Sequence, residues 1–276
     1  MAQREPRDRS DAPLIEVRDL VAHYGAREIL HGVSFDVRRG EIMVIMGGSG
    51  SGKSTLLRHL LGLERPTAGR IRVLGSEITR MSERERNALS RRIGVAFQGG
   101  ALMSSMTVGE NVMLPLREHT RLDRGTMEIM MRLKLEIVNL AGFEHLLPAE
   151  LSGGMIKRAA FARAIAMDPE ILFCDEPSAG LDPVVSSALD ELILRLRDAL
   201  GTTIVVVTHE LESAFRIADR IIVLDRGEIL AVGSREQVRG SHDPRVQNLL
   251  QRRFEESEPD ADEYLARLTG ERAERA

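Results

Sequence analysis

One nine-residue run constrains this chain more than any other: Gly47-Gly48-Ser49-Gly50-Ser51-Gly52-Lys53-Ser54-Thr55. A short apolar stretch, Glu41 to Met46, leads into it, and Ser54 to Leu63 follows with apolar residues at helical spacing. The run fits G-x-x-x-x-G-K-[ST] in full, in the strand–loop–helix setting that this pattern requires. Glycines let backbone N–H groups turn inward around phosphate oxygens, and the start of the next helix adds a favourable dipole. Lys53 is expected to reach the β- and γ-phosphates of a nucleotide, and Ser54 to hold Mg²⁺. A flexible Gly/Ser linker would have no use for Lys-Ser at that offset.

The rest of the chain supplies a setting for such a loop. Leu14 to Tyr24 alternates apolar and polar residues, as a strand with one covered face does, and Ile29 to Val37 continues the pattern. Further strands are expected at Ile71 to Gly75, Ile93 to Phe97, Ile171 to Cys174, Thr203 to Thr208, Arg220 to Leu224 and Glu228 to Val232. Helices are expected over Val184 to Leu200 and Glu210 to Ile217. Strands alternating with helices predict an α/β fold with a mainly parallel sheet covered on both faces. From Gly99 to about Arg163 the texture turns helical, at Val108 to Leu116, Thr126 to Leu140 and Met155 to Ala166, which reads as a helical subdomain inserted into the core. Ser234 with Gln237 makes a capping box for a short helix.

The ends read differently. Residues 1–13 form a polar tail expected to be disordered, 14–240 the main domain, and 241–276 a C-terminal extension. In that extension Val246, Leu249, Leu250 and Phe254 share a helical face, an acidic spacer runs from Glu255 to Glu263, and Tyr264, Leu265 and Leu268 cluster. By itself that cluster reads as a frayed tail.

Composition excludes some classes. A net charge of −4 gives no electrostatic reason to expect nucleic acid. No stretch approaches the roughly 18–20 apolar residues that cross a bilayer, so any membrane work needs spans from another chain. The single cysteine, Cys174, sits in an apolar run and fits a reducing compartment. Six of the twelve methionines lie between Met103 and Met131, and they either fill the helical core or form an adaptable docking surface.

Further residues carry chemistry. Asp175 and Glu176 end the apolar run Ile171 to Cys174; Asp175 is expected to bind Mg²⁺ through water, and Glu176 to orient or deprotonate an attacking water. His209 follows Thr203 to Thr208; alone it reads as a capping or packing residue, but its place after the acidic strand and a crossover helix suits a γ-phosphate sensor. Gln98, between core and helical insert, can touch Mg²⁺ and relay a pull to the insert. Ser152, Gly153 and Gly154 open the helix from Met155, giving a second anion-binding helix start far from the first. Two such ends suggest two halves of one site.

Taken in order, these residues resemble the ATP-binding subunits of ABC transporters, over about residues 14 to 240. The resemblance implies a RecA-like P-loop NTPase core, an antiparallel β subdomain and an inserted helical subdomain. In that family's terms Tyr24 is similar to the aromatic residue that stacks on adenine, Gly47 to Thr55 to the Walker A loop and Gln98 to the Q-loop. Leu151 to Met155 resembles the signature motif, Ile171 to Glu176 Walker B, Ser178 to Asp182 the D-loop and His209 the switch histidine. It also implies that two copies sandwich two ATP molecules, each site pairing one copy's loop with the other's Ser152 and Gly154. The usual signature ends in Gln; here Met155 stands there, followed by Ile156-Lys157-Arg158, so a quantitative change in inter-subunit contacts is expected.

A narrower likeness is to the ATPases of Mla-type lipid transporters, which work with MCE-domain proteins. It rests on Phe97 to Leu102, Asn111-Val112, Pro115 to Thr120, Leu151 to Met155 followed by Arg158-Ala159-Ala160, and Asp243 to Val246. That resemblance implies a permease partner, an MCE-domain protein, a STAS-domain subunit on the helical subdomain, a place on the cytoplasmic face of the inner membrane, and an anchor on a sister subunit at Tyr264, Leu265 and Leu268, tethered by Glu255 to Glu263. Other transported cargoes (amino acid, metal or drug) are the alternative. A non-transport ABC ATPase would need long coiled-coil insertions or two fused cassettes, and a module without turnover would not need Glu176 and His209.

Overall fold

The computed structural model describes residues 12–251, so nearly all of the expected N-terminal tail, together with Phe254, the acidic spacer and the Tyr264, Leu265, Leu268 cluster, lies outside the described residues. Two sheets organise the rest. The first is antiparallel and runs β2-β1-β4-β5, from β1 (Ile15–Tyr24), β2 (Arg27–Val37), β4 (Ala68–Val73) and β5 (Ser76–Glu77). The second runs β10-β9-β3-β8-β7-β6. Its strands β3 (Ile42–Met46), β6 (Ile93–Ala96), β7 (Ile171–Asp175), β8 (Thr203–Thr208) and β9 (Arg220–Asp225) are parallel, and β10 (Glu228–Gly233) adds an antiparallel edge.

Strand periodicity explains how the sheets stack. Side chains alternate between faces, so a strand buried on both sides reads as continuous apolar sequence. On β3, Ile42, Val44 and Met46 face one apolar cluster while Met43 and Ile45 face another. Leu172 and Cys174 alternate in the same way with Ile171 and Phe173, and Ile204 and Val206 with Val205 and Val207. One cluster holds Ile15, Val17, Leu30 and Val37 of the antiparallel sheet with Leu56, Leu57 and Leu60 of helix α1 (Lys53–Leu60). The other lies under α3 (Val108–His119), α4 (Arg124–Ile137), α5 (Gly153–Ala164), α6 (Pro183–Leu200) and α7 (Leu211–Ile217). Val246, Leu249 and Leu250 of α9 (Pro244–Leu250) pack onto that second cluster.

Between β6 and β7 the chain forms no strand. The methionines there mainly fill space: Met131 is buried, and Met113, Met127 and Met130 pack against the core, while Met103 is exposed. Core packing thus accounts for four of the six, while Met103 is exposed and Met106 half-buried, so the docking reading stays open for these two. Sequence periodicity missed α2 (Glu83–Ser90), a charged helix that buries only Leu89 and so lacks an apolar stripe. Its legible signal is the capping box of Ser82 and Glu85. The box expected at Ser234 and Gln237 is present and starts α8 (Arg235–Arg239). Cys174 is fully buried, and burial pushes its thiol far above the ordinary range, which leaves it inert. Among the described residues no helix is long and apolar enough to cross a membrane.

Candidate active site

Because β3, β6, β7 and β8 run parallel, their carboxyl ends share one edge, where open α/β sheets bind ligands. The Gly47–Thr55 loop leaves β3, Gln98 lies just past β6, Asp175 ends β7 with Glu176 next, and His209 follows β8. The fold thus gathers residues from four separate strands at that edge.

The loop's glycines have distinct jobs. A Cβ on Gly47 would stand 2.1 Å from the Leu224 carbonyl oxygen of β9, so only glycine lets the loop leave the sheet there. Gly52 has φ 103° and starts α1 without a side-chain cap, which leaves the first-turn N–H groups free for an anion. Lys53 Nζ donates to the Gly47 and Gly48 carbonyls at 2.8 and 2.9 Å, so the ammonium lies folded over the loop. Burial lowers its pKa, and the charges of Glu176 and Asp175 oppose that shift. Ser51 Oγ is buried with no hydrogen-bond partner.

The carboxylates form the other wall. Burial raises the Asp175 pKa, the Glu176 charge raises it further, and Lys53, Lys157 and Arg58 pull it down. Glu176 has φ 45°, in the left-handed region, and precedes Pro177, which also restricts it. Its N–H donates to the Val207 carbonyl at 2.8 Å. Its Oε2 accepts from His209 Nδ1 at 2.8 Å, from the Thr208 hydroxyl at 3.2 Å and from the His209 N–H at 3.3 Å. A carboxylate only accepts, so the His209 proton sits on Nδ1. The acid is aimed and anchored from the neighbouring strand β8.

Mg²⁺ suits the donors present. Ser54, Gln98 and Asp175 offer hard oxygen atoms, and the described residues contain no group of three or more His, Cys, Asp or Glu that could hold a metal unaided. Few protein ligands, with phosphate oxygens and water completing the shell, is the pattern Mg²⁺ takes at nucleotides.

The other expected residues have local partners or face solvent. Ser152 caps α5, its hydroxyl accepting from the Met155 N–H at 3.3 Å. Gly154 is pressed by Val185, where a Cβ would come within 2.8 Å of Cγ1. Asp182 caps α6 through the N–H groups of Val184 and Val185, both at 3.0 Å. Tyr24 ends β1 with 79 % of its surface exposed, open to a flat ligand. Sequence reading gave no role to Lys157, Arg163, Asn111 or Thr208. Lys157 donates to the carbonyls of Gln98 and, at 3.3 Å, Glu176. Arg163 donates to Ala101 O at 2.7 Å and Gly100 O at 3.1 Å. The available signal was spacing: Lys157 is four residues before Phe161 and so shares its buried face on α5.

Comparison with known proteins accords with this geometry. The sequence profile of the ABC transporter family matches residues 30–179. The intermembrane phospholipid transport system ATP-binding protein MlaF of Haemophilus influenzae is 42 % identical over 237 residues, 86 % of this chain and 90 % of that protein. MlaF of Escherichia coli K12 is also 42 % identical, over 88 % of this chain and 90 % of its own. A probable ribonucleotide transport ATP-binding protein, mkl of Mycobacterium leprae, is 40 % identical over 86 % of this chain and 68 % of its own. Among solved structures, the dimeric ATP-binding cassette MJ0796 in a post-hydrolysis state with ADP and Pi superposes with TM-score 0.74 at 31 % identity, covering 80 % of this chain and 98 % of that one. The cbiO1 subunit from Clostridium perfringens gives TM-score 0.77 at 26 % identity, covering 95 % and 100 %.

Proposed function

The chain belongs to the ABC transporter family and is one of its ATPases, and from that premise we propose that it energises phospholipid trafficking across a bacterial envelope. The observation that carries the cargo is the 42 % identity to MlaF over nearly all of both chains. The relative named for ribonucleotide transport is matched over a smaller share of its own length.

In this reading two copies close around two ATP molecules. The adenine ring stacks on Tyr24, and the N–H groups of Gly47 to Thr55 with the Lys53 ammonium hold the phosphates. To reach the β- and γ-phosphates, Lys53 exchanges its bonds to Gly47 O and Gly48 O for bonds to phosphate oxygens. Ser54, Asp175 and Gln98 would hold Mg²⁺, which when bound neutralises developing phosphate charge. Glu176 accepts a proton from, or orients, the attacking water, and His209, already bonded to its carboxylate, senses the γ-phosphate. Ser152, Gly153 and Gly154 of the second copy close the site, with Asp182 beside the junction. The exposed capping turn of α5 and the dimeric cassette of similar fold support that arrangement.

A permease supplies the membrane spans, and the chain works from the cytoplasmic face of the inner membrane. An apolar groove of about 160 Å³, lined by Leu60, Leu63, Ile78, Leu89 and Phe97, lies beside Gln98 and suits a permease helix. An MCE-domain protein and a STAS-domain subunit complete the assembly, and no nucleic acid takes part. Purification from native membranes in mild detergent, with mass spectrometry of bound proteins and lipids, tests the cargo. Co-purifying permease, MCE-domain protein and phospholipid are expected; a permease with a solute-binding protein and no lipid would overturn the lipid reading and leave the ATPase standing.

A further inference from the structure

Glu176 sits in a backbone conformation that its residue type and its neighbour both disfavour. A left-handed φ of 45° brings the Cβ of a non-glycine residue too close to the following carbonyl oxygen, and a following proline pushes the preceding residue toward extended geometry. Such a conformer persists only where its surroundings over-determine it. From the β8 side, Val207 O takes the Glu176 N–H, while Thr208 and His209 hold the carboxylate. On the carbonyl side Glu176 O accepts from the Ala179 N–H at 3.2 Å and from Lys157 Nζ at 3.3 Å.

Lys157 is itself buried, 8 % exposed, on the second turn of α5. Its ammonium also donates to the carbonyl of Gln98, a residue 59 positions away. One side chain therefore spans the backbone just past β6 and the backbone just past β7. Arg163, six residues further along α5, holds Gly100 and Ala101. Gly100 packs against Ile156, where a Cβ would lie 2.8 Å from Cγ2. The segment from Gln98 to Ala101 is thus fastened to α5, and α5 is fastened through Lys157 to the residue that handles the water.

We propose that Lys157 is a positioning residue that locks the Gln98 loop and the Glu176 backbone into one unit, so that a displacement of the helical insert aims or misaims the Glu176 carboxylate. This rests on the hydrolytic role given to Glu176 above. Lys157 does not touch nucleotide in that arrangement; it acts through the carbonyls it holds. Its effect falls on turnover, because ATP affinity resides in the Gly47–Thr55 loop and Tyr24.

The experiment is steady-state ATP hydrolysis by the full complex carrying Lys157→Met or Lys157→Arg, beside wild type, with Tm recorded for each. Methionine keeps the length of the side chain and removes its donors; arginine keeps donors able to reach both carbonyls. The expected result is a kcat at least about fivefold lower in Lys157→Met, a KM for ATP within about twofold of wild type, and a kcat largely restored in Lys157→Arg. A folded Lys157→Met with unchanged kcat, or one whose KM rises in step with any loss, overturns the proposal. Should Lys157→Met not fold, Lys157→Gln is read by the same criteria. Wild-type turnover together with its loss in Glu176→Gln is the control for the underlying reading, so a failure of that reading is seen separately.

Discussion

Asp175 is held where its charge is costly. Burial and the Glu176 carboxylate both raise its pKa above the ordinary 3.8, and Lys53, Lys157 and Arg58 offset only part of this. A carboxylic acid whose folded pKa is raised contributes stability below its unfolded pKa and loses that contribution as pH rises through the folded value. Asp175→Asn, which cannot ionise, is therefore expected to have a higher Tm than wild type at pH 7–8, with the difference vanishing below about pH 4. Thermal melts across that range check it, and an unchanged or lower Tm at pH 8 would count against the account. Beside it, Glu176→Gln keeps the shape of the side chain but cannot accept a proton. Phosphate release is expected to fall by about 10²–10⁴-fold, the range for losing a general base, while titration calorimetry still detects ATP binding. The identity of both residues was legible because two acids ending an apolar strand downstream of a phosphate loop form a pattern. The strained φ of Glu176 was not, since it depends on partners across the sheet.

At the level of elements, α3 shows how one helix can hold a loop. Asn111 is fully buried, and its Oδ1 accepts from the Met103 N–H at 2.7 Å. Its Nδ2 points at the carbonyls of Met103, Met106 and Thr107, between 2.9 and 3.1 Å. An amide nitrogen carries only two hydrogens, so these bonds are shared. Asn111→Ala leaves the Met103 N–H and the Met106 carbonyl without their partner, while the Met103 and Thr107 carbonyls keep the backbone N–H groups of Met106 and Asn111; a loss of about 2–4 kcal/mol is expected, since each stranded group costs about 1–3 kcal/mol. Urea denaturation measures it; a loss under about 0.5 kcal/mol would show that the loop finds other partners. Strands and amphipathic helices were legible through periods of 2 and 3.6, whereas α2 was not, because it buries almost nothing. The methionine-rich segment had an ambiguous pattern, since an apolar face looks the same whether a core or a partner covers it.

Across the whole molecule, the mainly parallel sheet separates two apolar clusters and gathers the loop, the carboxylates and His209 at one edge, while Ser152 stands exposed at the start of α5. If a second copy completes the site, Glu176→Gln should shift from monomer to dimer on addition of ATP in size-exclusion chromatography with light scattering. Adding Ser152→Arg should abolish that shift and leave ATP binding intact; dimerisation that survives it would refute the shared-site geometry. The sequence by itself determined the strand–loop–helix unit, the positions of the core strands along the chain and which residues were candidates for the site. Those are written in residue type and local period, which a chain carries without being folded. Only the tertiary structure decided that Lys157 ties Gln98 to Glu176 and that Arg163 and Asn111 pin the loop after β6. Their acceptors are mostly backbone carbonyls, which nearly every residue offers alike, so no residue pattern marks the partner. The bond between Lys157 and Gln98 closes across 59 positions and exists only once the sheet has set the two segments side by side.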